Sequence, residues 1–262
     1  VLSWNVAGRV RSVPDQAAAV AGRAADVVAL QEVRAGAHGA WSAALAAQGY
    51  RAQHYSAPPP GGPPERRLGV LLAARTTLEP LGAEDLPRLP WPERFAAALH
   101  PELGEVGVLH APISAKAGHV KVLTLEAVAA WLARPRPGGR PVVLAGDFNT
   151  PAYESREGEV RSFARTRTGR LREGYDERHD RAELGIVLPA LASAGYVDAF
   201  RALHGYAARD RSWMYANGKF GYRLDHVLVR GLAVHACAYE HAWRQGGLSD
   251  HSAVWAALGS PA

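Results

Sequence analysis

Short apolar runs recur along the chain, and most of them end in a polar residue. Runs of this length, rich in branched aliphatic residues and bounded by turn formers, are typical of buried strands. The pattern predicts strands over residues 1–6, 27–31, 68–73, 95–99, 105–110, 142–145, 222–229, 232–240 and 252–258. Because several of these strands are adjacent in sequence, we expect mixed sheets rather than a purely parallel βαβ winding.

Helical periodicity is found between these strands. Ser12 and Pro14 mark the start of a first helix, because proline is tolerated in the first helical turn. The strongest pattern spans residues 120–133, where apolar positions at helical spacing predict one buried stripe. This predicted stripe comprises Val120, Leu123, Ala127, Ala130 and Trp131. Further helices are predicted over residues 38–48 and 181–194.

No break in composition divides the chain, so we predict one domain over residues 1–262. The segment 134–141 reads RPRPGGRP, but a predicted strand follows at once, so it marks a loop rather than a linker. A charged stretch over about 154–183 is predicted as an insertion. Within it, the five arginines between residues 161 and 172 have no acidic residue among them.

Composition excludes several classes of protein. The chain is 48% hydrophobic and 21% charged, which is ordinary for a globular protein, and no apolar run is long enough for a membrane span. The single cysteine, Cys237, excludes an internal disulfide framework and a cysteine-based zinc site. A net charge of +5 mildly favours polyanionic partners, although an arginine- and alanine-rich sequence from a genome of high GC content explains it as well. With no visible signal peptide, we expect a cytoplasmic monomer, although a removed leader is an open alternative.

Polar residues with useful chemistry collect at the ends of the predicted strands. They are Asn5, Glu32, His110, Asp147, Asn149, Asp250 and His251, and Asp225 lies within a late strand. Strand ends of a layered α/β fold meet at one edge, where ligands usually bind. Carboxylates, amides and imidazoles together suit a hard divalent cation combined with acid–base catalysis.

Six sequence motifs around these residues occur in a family's order. They are SWNVAG (3–8), LQEVR (30–34), LHAP (109–112), GDFNTP (146–151), YRLDHVLV (222–229) and LSDHSAV (248–254). Together they resemble the successive motifs of the endonuclease/exonuclease/phosphatase superfamily, over nearly the whole chain. The resemblance implies a DNase I-like, four-layer α/β sandwich with two central mixed β-sheets flanked by helices. It also implies a magnesium-dependent phosphoester hydrolase.

The resemblance assigns a metal site by position. Glu32 resembles the principal Mg²⁺ ligand of the family, and Asn5 and Asp250 resemble its helpers, either directly or through water. Mg²⁺ keeps several waters and needs only one or two carboxylates, so this sparse set of ligands is chemically reasonable. Mn²⁺ is a possible substitute.

The resemblance also assigns catalytic roles. Asp147 and Asn149 resemble the pair that holds the attacking water and the phosphate oxygens. His251 resembles the general base or the imidazole that contacts phosphate, and Asp225 resembles the carboxylate that fixes its tautomer. As in the DNase I-like branch, His110 corresponds to the acid for the leaving group. Glu65 resembles the carboxylate that orients that acid.

Other segments resemble the exonuclease III branch, in which aromatic residues before the RLD strand form a pocket for an abasic site. Trp213 and Tyr215 are the corresponding residues, and Arg223 corresponds to an arginine that grips DNA. Arg165 and Arg167 could bind phosphates, or they could belong to a solvated loop.

These observations favour a Mg²⁺-dependent phosphodiester hydrolase, most readily a nuclease in which an activated water attacks DNA in line. The alternative is a phosphatase or phosphodiesterase that acts on a small phosphorylated metabolite or lipid in the same fold. A binding domain without catalysis fits poorly, because each catalytic position that aligns is filled by a competent residue. The sequence leaves open DNA against RNA and endonuclease against exonuclease action.

Overall fold

The computed structural model describes residues 1–113, 119–215 and 218–261, and two six-stranded sheets form its centre. The strands are numbered β1 to β16 along the chain. The first sheet has the order β15 (Ala233–Glu240), β16 (Ala253–Gly259), β1 (Leu2–Asn5), β2 (Val27–Arg34), β4 (Leu68–Ala74) and β3 (Ala52–Ser56). The second has the order β11 (Val197–Asp198), β14 (Asp225–Arg230), β8 (Val142–Asp147), β7 (Gly104–His110), β6 (Phe95–His100) and β5 (Glu79–Pro80).

Both sheets are mixed. The pairs β1–β2 and β7–β8 are parallel, and the other neighbours in the two sheets are antiparallel. Two short hairpins lie outside them. They pair β9 (Tyr153–Glu154) with β10 (Val160–Arg161), and β12 (Trp213–Tyr215) with β13 (Phe220–Tyr222).

Helices cover the outer faces of both sheets. The α-helices are α1 (Val13–Arg23), α2 (Ala35–Ala47), α3 (His119–Ala133), α4 (Glu177–Gly185), α5 (Ala199–His204) and α6 (His241–Gln245). Short 3₁₀ turns span Pro64–Arg66, Ala83–Asp85, Pro92–Arg94, Pro137–Gly139 and Ala190–Ala194. Within the described ranges, no helix combines the length and the apolar character that crossing a membrane requires.

Alternation along the strands builds three apolar layers. In β2, Val27 and Ala29 pack into a layer between the two sheets, whereas Val28 and Leu30 pack against α1 and α2. In β8, Leu144 faces a third layer beneath α3. Successive strand side chains point to opposite faces, so a sheet buried on both sides reads as a continuous apolar run. The predicted four-layer α/β sandwich is confirmed.

Two helix predictions need correction. The helix predicted over 181–194 ends at Gly185, and a separate 3₁₀ turn follows Pro189, because proline cannot continue a helix. The stripe predicted on α3 has the wrong phase. Leu123 is 41% exposed, whereas Val122 and Leu125 are buried. Apolar residues surround this helix on most sides, so periodicity alone does not select the buried face.

Candidate active site

Strand register brings three of the predicted side chains together. In the second sheet, β8 lies between β7 and β14. His110 at the end of β7 and Asp225 at the start of β14 are both register partners of Asp147 at the end of β8. Neighbouring strand ends therefore place an imidazole and two carboxylates side by side at one edge.

The first sheet contributes Asn5 and Glu32 to the same edge. Asn5 ends β1, and its Nδ2 donates to Asp147 Oδ2 at 3.0 Å and to Glu32 Oε1 at 3.2 Å. Glu32 lies where the β2–β4 register shifts, and its φ is +61°. A bulge of this kind re-aims a side chain, and left-handed backbone at a non-glycine residue is a strain often found at functional sites.

Asp147 is the centre of the hydrogen-bond network. Its Oδ1 accepts from the backbone N–H of Asn149 at 2.9 Å, and its Oδ2 accepts from Asn149 Nδ2 at 3.4 Å. Asn149 has a φ of +50°, which asparagine tolerates better than most residues. Lys121 is buried in α3 and donates to the Asn149 carbonyl at 2.7 Å, which holds this turn from beneath.

His251 is fixed from three sides. Its Nδ1 bonds to Asp225 Oδ2 at 2.8 Å, and its Nε2 lies 3.8 Å from Asp147 Oδ2. Its backbone N–H donates to Ser249 Oγ, and its carbonyl accepts from Trp4 Nε1, each at 3.1 Å. The bond to Asp225 leaves Nε2 as the imidazole atom that faces Asp147.

Burial and neighbouring charges shift the pKa values of His251, Asp147 and His110. Burial opposes the charged imidazolium of His251, but Asp225 and Asp147 outweigh it and raise the pKa of His251. Burial raises the pKa of Asp147; Asp225 adds to this shift and His251 opposes it. Burial, followed by the positive charges of Arg94 and His251, holds the pKa of His110 well below its usual value. The site therefore pairs a charged His251 with a neutral His110.

Arg94, not Glu65, is the side chain that contacts the Nδ1 of His110, which corrects the predicted orienting role of Glu65. The same arginine nitrogen also lies 3.3 Å from Nε2, and since arginine can only donate, the neutral ring of His110 accepts from it. The Nε2 atom lies 3.5 Å from Glu32 Oε1 and 3.9 Å from Asp147 Oδ2. The exposed Glu65 contributes its backbone carbonyl, which accepts from the Arg94 guanidinium.

The donors at this edge fit a hard divalent cation. Asp147, Asp225 and His251 offer ligand atoms that all lie within 4.8 Å of one another. Asp225 Oδ1 is buried and has no hydrogen-bond partner among the described residues. Oxygen donors without sulfur suit Mg²⁺ or Mn²⁺. The side chain of Glu32 is 25% exposed, so it combines contact with Asn5 with access to solvent.

Aromatic side chains of the β12–β13 hairpin form one surface beside His251. We call this surface the aromatic face, and its members are Trp213, Tyr215, Phe220 and Tyr222. The Trp213 ring is 6.1 Å from Tyr222 and nearly parallel to it, and it lies 5.6 Å from Tyr215. Its centroid is 6.5 Å from that of His251. Phe220 is 55% exposed, so the face is open to solvent.

Asp250 connects the aromatic face to the site. Its exposed Oδ2 accepts from Trp213 Nε1 at 3.2 Å. No contact joins Asp250 to Glu32 within residues 1–113, 119–215 and 218–261. The two predicted metal ligands therefore lie on different flanks of the cluster, with Glu32 beside His110 and Asp250 beside Trp213.

The structure contradicts the predicted substrate contact of Arg223. Arg223 is buried, and its guanidinium donates to Glu154 at 2.8 Å and to Asp198 at 2.8 Å. Arg165 is also engaged, since it donates to Asp180 and Glu177 at 2.7 Å each. The burial of Arg223 therefore corrects its assignment as a residue that grips DNA. The Arg165 side chain is 28% exposed, and its contact with phosphate stays a prediction.

One exposed arginine, Arg172, lies near the aromatic face. Arg167 is also exposed, and its contact with phosphate stays a prediction. Burial and the Tyr215 hydroxyl raise the pKa of Tyr222, and the nearby charge of Arg172 opposes this shift. Phe163 packs edge-on against Tyr222 at 4.9 Å, so the arginine-rich segment is anchored beside the aromatic face.

Sequence reasoning missed Arg94, Lys121, Phe220 and Tyr222. Arg94 follows Pro92 and Glu93 directly before β6, and a polar cluster before an apolar strand was the available signal. Nothing in the sequence shows that Lys121 is the buried partner of Glu183, because 62 residues separate them. Pairings over such distances depend on the fold.

Comparisons with known proteins agree with this fold. The family described as "Endonuclease/Exonuclease/phosphatase family" matches residues 2–251. An AP endonuclease from Archaeoglobus fulgidus has a TM-score of 0.73 at 18% identity, with 98% of each chain covered. A 3′-5′ exonuclease from Neisseria meningitidis has a TM-score of 0.69 at 19% identity, again with 98% of each chain covered. An endonuclease/exonuclease/phosphatase from Beutenbergia cavernae has a TM-score of 0.66 at 20% identity, over 99% of this chain and 70% of that one.

A comparison with curated protein sequences finds no match. At identities near 20%, the solved structures carry the fold alone, whereas the family match spans nearly the whole chain. The chain belongs to the endonuclease/exonuclease/phosphatase family of phosphoester-hydrolysing enzymes.

Proposed function

We propose that the protein is a Mg²⁺-dependent nuclease that hydrolyses phosphodiester bonds of DNA. The observation that carries this proposal is the aromatic face, whose partly exposed, stacked rings begin at Trp213 beside His251. Base–aromatic stacking on such a surface is typical of proteins that bind extruded or single-stranded nucleotides. Solved relatives with the same fold include proteins described as an AP endonuclease and a 3′-5′ exonuclease, which supports a DNA substrate.

His251 and Asp147 have different roles in the proposed reaction. His251 is held as an imidazolium, so it donates from Nε2 to a non-bridging phosphoryl oxygen and offsets the charge that develops there. Asp147, whose pKa is raised by burial, accepts the proton of the attacking water. Asn149 orients Asp147 through two hydrogen bonds. Environments that push two pKa values apart commonly mark an acid–base pair.

His110 acts on the leaving group. Its Nε2 faces Glu32 and Asp147 at the centre of the site, so this atom donates a hydrogen bond to the departing oxygen from a neutral imidazole. A divalent cation held by Glu32 and Asn5 would supply charge neutralisation at the phosphoryl oxygens. Asp250 lies on the other flank, beside Trp213, and would contact such a cation through water. Glu32 suits this role better than Asp225, because Asp225 already pairs with His251 at 2.8 Å in the interior.

The test is the cleavage of two end-labelled duplexes that differ only in one stable abasic analogue, in Mg²⁺ and in EDTA. We expect cleavage in Mg²⁺ and none in EDTA. Cleavage confined to the abasic position would support a pocket formed by Trp213, and cuts throughout both duplexes would favour a DNase I-like action. If neither duplex is cut by the folded protein, DNA is not the substrate, and small phosphate esters become the leading alternative.

Replacement of Glu32 by glutamine is expected to raise the Mg²⁺ concentration for half-maximal activity by at least about tenfold. The amide keeps the size of the side chain and its contact with Asn5, but it loses the charge that attracts the cation. The measurement is a Mg²⁺ titration of the cleavage rate. An exposed carboxylate outside the site, Glu173, provides the matched control, Glu173→Gln. An unchanged Mg²⁺ requirement in the Glu32 variant would move the cation to the Asp147–Asp225 side.

A further inference from the structure

A cavity of about 320 Å³ adjoins the catalytic cluster on the side away from the aromatic face. Glu32 and His110 line its inner end. In the second sheet β7, which carries His110, and β14, which carries Asp225, flank β8 on opposite sides. His251 bonds to Asp225, so the cavity and the aromatic face lie on opposite flanks of Asp147.

Most residues that line the cavity are apolar, and one is cationic. The apolar residues are Leu68, Pro64, Trp91, Pro112 and Ile113. The cationic residue is Arg94, whose buried guanidinium lies 5.6 Å from the Trp91 ring centroid. Its terminal nitrogens contact His110 and the Glu65 carbonyl, which fixes the positive charge beside Trp91.

Charge and size restrict what the cavity can take. The carboxylates of Glu32 and Glu65 oppose the single charge of Arg94, so the lining does not favour a second phosphate. A volume near 300 Å³ is at the lower end for small-molecule sites, which suits one nucleoside rather than a longer segment. A ring beside Trp91 and an acceptor near Arg94 both match a nucleobase, which combines a flat apolar face with a polar edge.

We propose that this cavity binds the nucleobase of the nucleoside whose oxygen departs in the reaction. The inference rests on the proposed nuclease function and on His110 as the donor to the departing oxygen. The base packs against Trp91 and Ile113, and its edge accepts from Arg94. The scissile phosphate is thereby held between two aromatic contacts, with the departing nucleoside in the cavity and the retained side toward Trp213.

The test uses three short DNA oligomers, each with one cleavable phosphodiester among methylphosphonate linkages. One oligomer is complete, one lacks the base of the departing nucleoside, and one lacks the base on the retained side. We expect the wild-type protein to cut the second oligomer about tenfold more slowly than the complete one, since stacking of one base contributes about that much. Trp91→Ala should slow cleavage by a similar factor only where the departing base is present.

Two further variants keep the test decisive. Ile113 is 51% exposed, so Ile113→Ala leaves the fold intact and should shift the rates in the same direction by a smaller factor. Trp255 lines a separate cavity with Val1 and Arg23, and Trp255→Ala should leave the ranking of the three oligomers unchanged. Equal slowing of all three oligomers by Trp91→Ala would overturn the proposal. Failure of the wild-type protein to cut any of them would instead overturn the nuclease function itself.

Discussion

Replacing His251 by alanine is expected to lower kcat for phosphodiester hydrolysis by about 10³- to 10⁴-fold. The variant removes the imidazolium that Asp225 and Asp147 stabilise, and with it the donor nearest to the charge on the phosphoryl group. The measurement is single-turnover cleavage at saturating Mg²⁺, together with a thermal unfolding curve. His235 is an exposed histidine elsewhere in β15, and His235→Ala provides the matched control.

The partner of His251 allows a finer test. Asp225→Asn keeps a polar group near Nδ1 but removes the charge that supports the imidazolium. Its loss should be smaller than that of His251→Ala, and the double variant should be no slower than His251→Ala alone. Substantial activity in His251→Ala would show that the phosphoryl group is stabilised elsewhere. Additive losses would show that Asp225 acts independently of His251.

Replacing Glu154 by glutamine is expected to lower the free energy of unfolding by about 3–5 kcal/mol, because two buried arginines lose their common counter-charge. The carboxylate of Glu154 accepts from Arg201 at 2.7 Å and from Arg223 at 2.8 Å, and only 9% of its side chain is exposed. The amide keeps two acceptor lone pairs but no charge. Urea unfolding of wild type, Glu154→Gln and the surface control Glu173→Gln measures the difference.

The carboxylate of Glu154 also predicts how the free energy of unfolding falls at acidic pH. Burial raises its pKa, but hydrogen bonds and charges from Arg223 and Arg201 outweigh burial and lower the pKa of Glu154 from 4.5 to about 2. A group with a lowered pKa in the folded state stabilises the fold above its unfolded pKa. This contribution is therefore complete above about pH 5 and is lost as the pH falls toward 2. Glu154→Gln should flatten this part of the stability curve, and an unchanged slope would contradict the ion-pair assignment.

Much of the candidate site could be predicted, because it lies where strands end. An apolar strand followed by a polar residue places that residue at a sheet edge, and adjacent strands of the second sheet then bring His110, Asp147 and Asp225 together. The register that joins them keeps each side chain on its face, since a slip of one residue would turn every side chain to the opposite face. The local pattern predicts that these residues meet at one edge, whereas their individual roles come from the family resemblance.

The errors concern arginines and helix faces. The position of Arg223 in the motif YRLDHVLV assigns it to the substrate. The actual partner of Arg223, Glu154, precedes it by 69 residues, so the local sequence does not show the pairing. The contact between Arg94 and His110 depends in the same way on which strands become neighbours. Ion pairs over such separations are products of topology, and the charge pattern alone does not distinguish a satisfied arginine from a free one.

The bond from Asn5 to Asp147 crosses from the first sheet to the second. Between the sheets lies a thin layer with several alanines, including Ala29, Ala96 and Ala145. Neither sheet contains a complete set of reacting groups, so hydrolysis requires that the two sheets pack against each other. During refolding, strand pairing within each sheet is therefore not sufficient for activity, and hydrolysis returns only after the two sheets have packed together.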